Sequence, residues 1–504
     1  MSPLSSSGAP SGRRRGTPSL LVPVTLDRAS GATLTDQLVA SLRAAVHGGL
    51  LPAGTRLPST RTLADELSVS RTVAAEAYTR LVAEGYLEGR HGSGTYVCVL
   101  NEAARLGDIA RPGSGSGPEP ATAPAPTAAT ATPRFAFRTG VTAPDAAPEG
   151  WGPALREVAR AMPPNRYLDA RGEPPLRAAI AGYLARSRGL TVEPENIVVT
   201  SGATQSLDLI VRTLVSSGDA VACEEPGHPG VRALLDCHGL TSVALPVDDD
   251  GARPQDLPRG RRGPRLAHVT PSHQFPLGVR MTVGRRLDLV AWAREQGAFI
   301  VEDDYDSEYR FDGPPLPTLT GLDPERVIYL GTLSKTLTPA IRCGYLVAPR
   351  EVARRVTRIK DLCDGPLSWP VQQLLLHLLT SGGLERHVRR TRQRYANARA
   401  LLRAALTPVQ DAVTLTGIDA GLHVVLRPRT GLSADRIAER ARANGVDVTT
   451  LAAFYAGRDK PDGLLLGYAG LAEDELVEAA GVLARVIDEL VRETSRGGTG
   501  GTAR

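Results

Sequence analysis

At 504 residues the chain is too long for one ordinary hydrophobic core, so two or more domains are expected. Its 42% hydrophobic and 22% charged residues are those of a globular protein, and no apolar run approaches the roughly 20 residues of a membrane helix, so no membrane partner is expected. A net charge of +5 permits a nucleic-acid partner without demanding one, and five cysteines without CxxC spacing argue against a disulfide framework or zinc site and for reduced thiols in a cytoplasmic protein.

Residues 1–32 open with MSPLSSSGAPSGRRRGTPSL, which lacks the apolar centre of a secretory signal and reads as a disordered tail. From 33 to 99 the pattern tightens. Leu34, Leu38, Leu42 and Val46 recur every four residues on one helical face. The PST at 58–60 caps a short second helix ending at Leu67. Ser68 and Val69 make a tight turn, and Ser70 is placed to cap a third helix running to about Glu84. Two helices joined by a short turn, followed by the glycine-rich GYLEGRHGSGTYV, predict a helix-turn-helix with a β-hairpin wing. Such a third helix presents its first residues, here Ser70, Arg71 and Thr72, to the major groove.

The run LPAGTRLPSTRTLADELSVSRTVAAEAYTRLVAEGYLEGRHGSGTYV resembles the GntR-family winged helix almost end to end. That resemblance implies double-stranded operator DNA as a partner, contacted through Arg61, Arg71, Thr72 and the wing residues Arg90, His91 and Gly92. A further contact arginine of some members falls on Ala75, which leaves the base preference open.

Residues 100–136 are dominated by Pro, Ala, Thr, Gly and Ser and read as a semi-extended linker unable to bury a core. Beyond it, 137–492 alternates short apolar strands (ENIVVTSG, DAVACEEPGHPG, RLAHVTPSHQ, GAFIVEDDYD, RVIYLGTLSK) with helical patterns such as MTVGRRLDLVAWAREQG. This predicts a mainly parallel sheet covered on both faces, with ligands at the carboxyl ends of its strands. A smaller α+β lobe is expected after about Leu401, and residues 493–504 read as a second disordered tail.

The chemistry-bearing residues fall at those strand ends. Of 59 basic residues only three are lysines: Lys335, Lys360 and Lys460. Lys335 follows the strand VIYLGT, with Thr332 and Ser334 before it and Arg342 after it. An amine among hydroxyls and a guanidinium suits a Schiff base with a phosphorylated aldehyde. In VVTSGATQS the backbone N–H groups of Ala203 and Thr204 open a helix, where a phosphate dianion is favoured. FIVEDDYDSEY places carboxylates at a strand end, where one could hold a pyridinium proton. A metal site is the alternative for that cluster, but no histidine or third ligand lies at a suggestive spacing, so none is expected. His228, on the Pro-Gly loop EEPGHPG, offers a flat ring to stack on a cofactor face.

Together these segments resemble the fold-type-I aminotransferases that use pyridoxal 5′-phosphate (PLP). The resemblance implies that Lys335 forms the Schiff base, Asp303 pairs with the pyridine nitrogen and Tyr305 bonds the ring oxygen. It further implies that Ala203, Thr204, Thr332 and Arg342 hold the phosphate and that His228 takes the ring-stacking position. Tyr167 would reach the phosphate of a neighbouring subunit, hence a homodimer. Two positions depart from the pattern. The asparagine that tunes the ring oxygen falls on Phe275, leaving Gln274 as a possible substitute, and the arginine that clamps a substrate carboxylate falls on Leu465.

Head, linker and body in this order resemble the MocR/GabR-like subfamily of transcriptional regulators. The fold expected is an N-terminal winged helix-turn-helix, mainly α with a β wing, plus an α/β fold-type-I aminotransferase-like body with a smaller C-terminal α+β lobe. The function implied is a PLP-dependent regulator sensing a small amine, an amino acid or PLP itself. The alternatives are a working aminotransferase with an appended head, which Leu465 argues against, and a cofactor-free dimerisation body.

Overall fold

The computed structural model describes residues 24–28, 30–90, 93–98, 133–144, 147–148, 150–313, 317–429, 431–457 and 460–497. The chain forms two compact units, divided between Thr127 and Ala128. In the first, helices α1 (Leu34–His47), α2 (Thr60–Leu67) and α3 (Arg71–Ala83) precede a hairpin of β1 (Leu87–Arg90) and β2 (Gly94–Val97). Leu38 and Leu42 of α1, Leu63 of α2 and Ala74, Ala77 and Leu81 of α3 form one core with Leu87 and Val97 of the hairpin. The caps are local: Ser59 Oγ accepts from Thr62 N at 3.1 Å, and Ser70 Oγ from Val73 N at 3.3 Å. Between them Ser68 takes the left-handed conformation (φ 53°) that ends α2, and Val69 N bonds back to Ala64 O.

Part of the expected N-terminal tail is ordered. Val24 and Leu26 pack on this core, and Arg28 Nη2 donates to Ser68 O at 2.6 Å. The low-complexity start hid an apolar VPVTL that a small core can use.

The second unit begins with β3 (Phe135–Ala136), α4 (Trp151–Arg160) and α5 (Pro174–Arg188). β4 (Ile197–Thr200), α6 (Ala203–Leu214), β5 (Ala220–Glu225), α7 (Pro229–Cys237), β6 (Thr241–Asp248), β7 (Gly251–Ala252) and β8 (Leu266–Val269) follow. Next come α8 (Val283–Gln296), β9 (Phe299–Asp304), β10 (Val327–Thr332), β11 (Gly344–Val347), α9 (Arg350–Cys363), α10 (Trp369–Thr380) and α11 (Gly383–Leu406). The chain closes with β12 (Val413–Thr416), β13 (His423–Pro428), α12 (Ala434–Ala443), β14 (Val446–Asp447), β15 (Thr449–Thr450), β16 (Leu464–Gly467) and α13 (Glu473–Gly497).

The large sheet runs β4-β11-β10-β9-β8-β5-β6-β7, parallel throughout except for β11 and β7. Its strands alternate between two cores, as the period of two requires. Val301, Ile328 and Leu330 face α6 and α9, whereas Ile300 and Val327 face α8 and Tyr329 faces α5 and α10. Both faces are covered, so each strand is apolar along its length and the polar residues collect at the strand ends. The smaller lobe is an antiparallel sheet, β12-β13-β16-β15, whose core is closed by α11, α12 and α13.

Two expected boundaries shift. Phe135 and Ala136, assigned by composition to the linker, pair in parallel with Val446 and Asp447, and Phe135 and Phe137 enter the small lobe's core. Helix α13 runs to Gly497, past the expected start of the tail at 493. In both places a few apolar or helix-forming residues continue a neighbouring element where average composition is polar. Residues 1–23, 29, 100–132 and 498–504 of the expected linker and tails lie outside the described residues.

Because Ser70 Oγ is the side-chain cap of α3, Ser70→Ala should lower the head's stability by about 1 kcal/mol. Chemical denaturation followed by α-helical circular dichroism checks this; Ser70→Asp should restore most of the loss.

Candidate functional site

Three glycines bring the amino end of α6 against the large sheet. A Cβ on Gly344 would meet Gly331 O at 2.8 Å and Gly202 Cα at 3.0 Å, so only bare backbone fits there. Gly202, at φ 121°, caps α6 without any side-chain bond, and the Arg342 guanidinium lies 3.6 Å from where its Cβ would sit. The first turn of a helix with a guanidinium beside it is an anion cradle by construction. Thr332 adds a hydroxyl whose Oγ1 accepts from Ser334 N at 3.1 Å.

This cradle opens into a cavity of about 470 Å³ at the carboxyl ends of β4, β5, β8, β9 and β10. Ala203, Thr204, Thr332 and Arg342 line one part; Lys335, Asp303, Tyr305 and His228 line the rest. Lys335 is half-buried, and its Nζ donates to Gly140 O at 2.7 Å. Burial lowers its pKa, against the opposing pull of Asp306 and Asp303, with Arg342 adding to the lowering. Asp303 Oδ2 sits 3.4 Å from His268 Nε2, while its Oδ1 is buried with no hydrogen-bond partner. His228 caps α7 by accepting from Gly230 N at 3.1 Å, and its ring lies 5.4 Å from that of Phe275.

Tyr305 is turned toward the protein. Its hydroxyl donates to His273 O at 2.9 Å, and burial holds its pKa well above the ordinary phenol value. His273 in turn bonds Asp306 at 2.8 Å. Gln274 is no stand-in for the missing asparagine. Its Nε2 is spent on Glu224 Oε2, Pro226 O and Phe275 O, and its Oε1 on Leu277 N. Leu465 is fully buried in an apolar cluster with Leu277, Val425, Leu451 and Phe454.

Tyr167 is not among the residues lining this cavity and is 97% exposed. In the head, Arg61, Ser70, Arg71 and Thr72 are all exposed at the starts of α2 and α3, whereas Arg90 is held by Glu88 at 2.6 Å and lies 4.6 Å over the Tyr96 ring. His91 and Gly92 lie outside the described residues.

The fold also assembles residues that sequence spacing did not connect. Glu224, His268, Thr270 and His423 line the cavity from three different segments. His268 and Thr270 could have been found from LAHVT, where they alternate at a strand's carboxyl end; His423, contributed by the small lobe, left no such signal. His273, Asp306 and His423 place potential ligand atoms within 4.8 Å of one another, a grouping invisible at spacings of 33 and more residues. One nitrogen of each is engaged, His273 Nδ1 with Asp306 and His423 Nε2 with Pro276 O at 3.2 Å, while His273 Nε2 is buried without a hydrogen-bond partner.

A winged helix-turn-helix joined in one chain to a fold-type-I aminotransferase-like body defines a DNA-binding regulator built on an enzyme fold. Residues 34–97 match the family of bacterial regulatory proteins, gntR family, and residues 141–483 match aminotransferase class I and II. The probable rhizopine catabolism regulatory protein MocR of Rhizobium meliloti is 38% identical over 88% of this chain and 92% of its own. The pyridoxine biosynthesis transcriptional regulator PdxR of Corynebacterium glutamicum is 35% identical over 93% and 98%. Among solved structures, LysN, an α-aminoadipate aminotransferase of Thermus thermophilus complexed with N-(5′-phosphopyridoxyl)-L-leucine, is 28% identical with a TM-score of 0.63, over 71% of this chain and 93% of that one. The chain belongs to the MocR-like subfamily of GntR-family regulators, and it is a helix-turn-helix transcriptional regulator with an aminotransferase-like domain.

This fold implies PLP, and the residues present fit it. The anion cradle at Gly202 has the character a phosphate needs, the unpartnered Asp303 Oδ1 can accept a ring N–H, and the Lys335 amine lines the same cavity.

The lowered pKa of Lys335 means more neutral amine at a given pH than an exposed lysine has. At neutral pH, PLP with cyanoborohydride should label Lys335 well before the exposed Lys460, as peptide mapping would show. Equal labelling of the two would contradict the site.

Proposed function

We propose that the body binds PLP and uses it to sense a small ligand, and that this occupancy governs how a homodimer holds operator DNA. The observation that carries the reading is the convergence of Lys335, Asp303 and the Gly202–Arg342 cradle on one cavity. When bound, PLP supplies an aldehyde that amines can take and an electron-withdrawing ring. The chain's own residues bind and orient it. Arg342, Thr332 and the N–H groups of Ala203 and Thr204 hold the phosphate, Asp303 holds the ring proton, His228 covers a ring face and Tyr305 flanks the ring. Lys335 provides the amine, kept reactive by burial.

The 97% exposure of Tyr167, the residue that the resemblance assigns to a neighbouring subunit's phosphate, supports a dimer in which each body completes the other's site. Arg61, Arg71 and Thr72 of two heads would then read paired half-sites. Ligand binding shifts DNA affinity only through different affinities for two body conformations.

A sensor, with turnover absent or vestigial, is favoured over a working aminotransferase by Leu465. A leucine sealed among Leu277, Val425, Leu451 and Phe454 offers no bidentate bond to a substrate carboxylate.

The purified protein should show a visible absorbance with PLP that is lost in Lys335→Ala. Arg71→Ala should retain that absorbance while losing specific operator binding at physiological salt, since low salt would mask the loss. Many turnovers with an amino donor and a keto acid would instead establish the enzyme. A Lys335→Ala protein as coloured as wild type would reject the cofactor site.

A further inference from the structure

The same cavity holds a carboxylate that the PLP reading does not use. Glu224, at the end of β5, is 3% exposed. Its Oε2 accepts from Thr270 Oγ1 at 2.5 Å and Gln274 Nε2 at 3.1 Å, while Oε1 is buried without a hydrogen-bond partner. Among the described residues no arginine or lysine pairs with it. A buried acceptor left unsatisfied is costly, and the cost is recovered when a ligand brings a donor to it.

The carboxylate-binding side of the cavity has been dismantled at the same time. Leu465 fills the clamp position with hydrocarbon. Arg232, which also lines the cavity, is ion-paired: its Nη2 donates to Phe454 O at 3.0 Å, and its Nη1, which makes no hydrogen bond, lies 3.6 Å from Glu225 Oε2. Glu225 in turn accepts from Ala456 N and Gly457 N, so this arginine is committed to holding the 454–457 loop. Apart from Lys335, the remaining cation of the cavity is Arg342, which belongs to the phosphate cradle.

A zwitterionic amino acid would therefore bring its carboxylate to a cavity holding an unpaired acid, where Arg342 belongs to the phosphate cradle and the charge of Arg232 is already matched by Glu225. We infer that the effector is an amine without a carboxylate, carrying a second donor group, a hydroxyl or another amine, that Glu224 Oε1 accepts. This rests on the reading that the body holds PLP, and it narrows that reading to one ligand class. Burial raises the pKa of Glu224, with the hydrogen bonds from Thr270, the charge of His268 and the Gln274 amide pulling the other way.

Four amines of equal chain length separate the possibilities: n-butylamine, 4-aminobutan-1-ol, 1,4-diaminobutane and 4-aminobutyrate. Each is titrated into the PLP-loaded full chain and followed by the visible absorbance. The amino alcohol or the diamine should half-saturate at a concentration lower than 4-aminobutyrate by about tenfold or more. Glu224→Gln should keep the PLP absorbance yet lose the advantage of the diamine over butylamine, and Leu465→Arg should improve 4-aminobutyrate. Tightest binding by 4-aminobutyrate, an unchanged ranking in Glu224→Gln, or no response to any of the four overturns the inference while leaving PLP binding intact. A wild-type protein that stays colourless with PLP removes both readings.

Discussion

A primary amine held partly out of water is the constraint on which the body of this protein depends. A protonated lysine resists burial, and Lys335 is tolerated because Gly140 O accepts its proton and Asp303 and Asp306 offset the missing solvent. Those groups come from three parts of the chain. Lys335 follows β10, Asp303 ends β9, Asp306 lies just beyond it, and Gly140 comes from the first segment of the unit. The parallel sheet gathers them because all its principal strands end on one side. The result is a lysine that is chemically available, at a spot where an arginine would be only a permanent charge.

The glycines at the neighbouring strand ends serve the same arrangement. Gly331 admits the Tyr345 ring, which a Cβ there would strike at 2.4 Å, and Gly344 admits the backbone at Gly202. A side chain at Gly344 would press on the backbone at Gly202, which caps α6 beside Arg342. The sheet therefore supplies both the amine and the anion cradle, and their spacing is fixed by backbone contact. Flexible side chains would hold it far less well.

Much of this was legible in the linear sequence because it depends on local rules. The caps at Ser59 and Ser70, the turn at Ser68 and the strand–glycine–helix step at Gly202 are each written within a few residues, and they lie where spacing predicts. The small lobe's hold on Phe135 was not legible, since two residues of strand in a polar stretch give no period to detect. Nor was the fate of Gln274, whose amide could have faced the cavity; only the folded chain shows it consumed by Glu224 and three backbone groups. The grouping of His273 with His423 depends on how the small lobe meets the large sheet, a long-range relation that no window of sequence contains. Residue identity announced the chemistry, and tertiary contacts decided which groups remain free to do it.

The short parallel pairing of β3 with β14 has a mechanical side. Phe135 and Ala136 are stitched to Val446 and Asp447, and four residues further on Gly140 accepts the Lys335 proton. The strand that anchors the body's first ordered residues to the small lobe and the carbonyl that restrains the amine are thus joined by a tether too short to carry slack. Whatever takes the amine from Gly140 releases one end of that tether while the other stays sewn to the small lobe. The segment that Lys335 touches is therefore the one with which the described part of this unit begins.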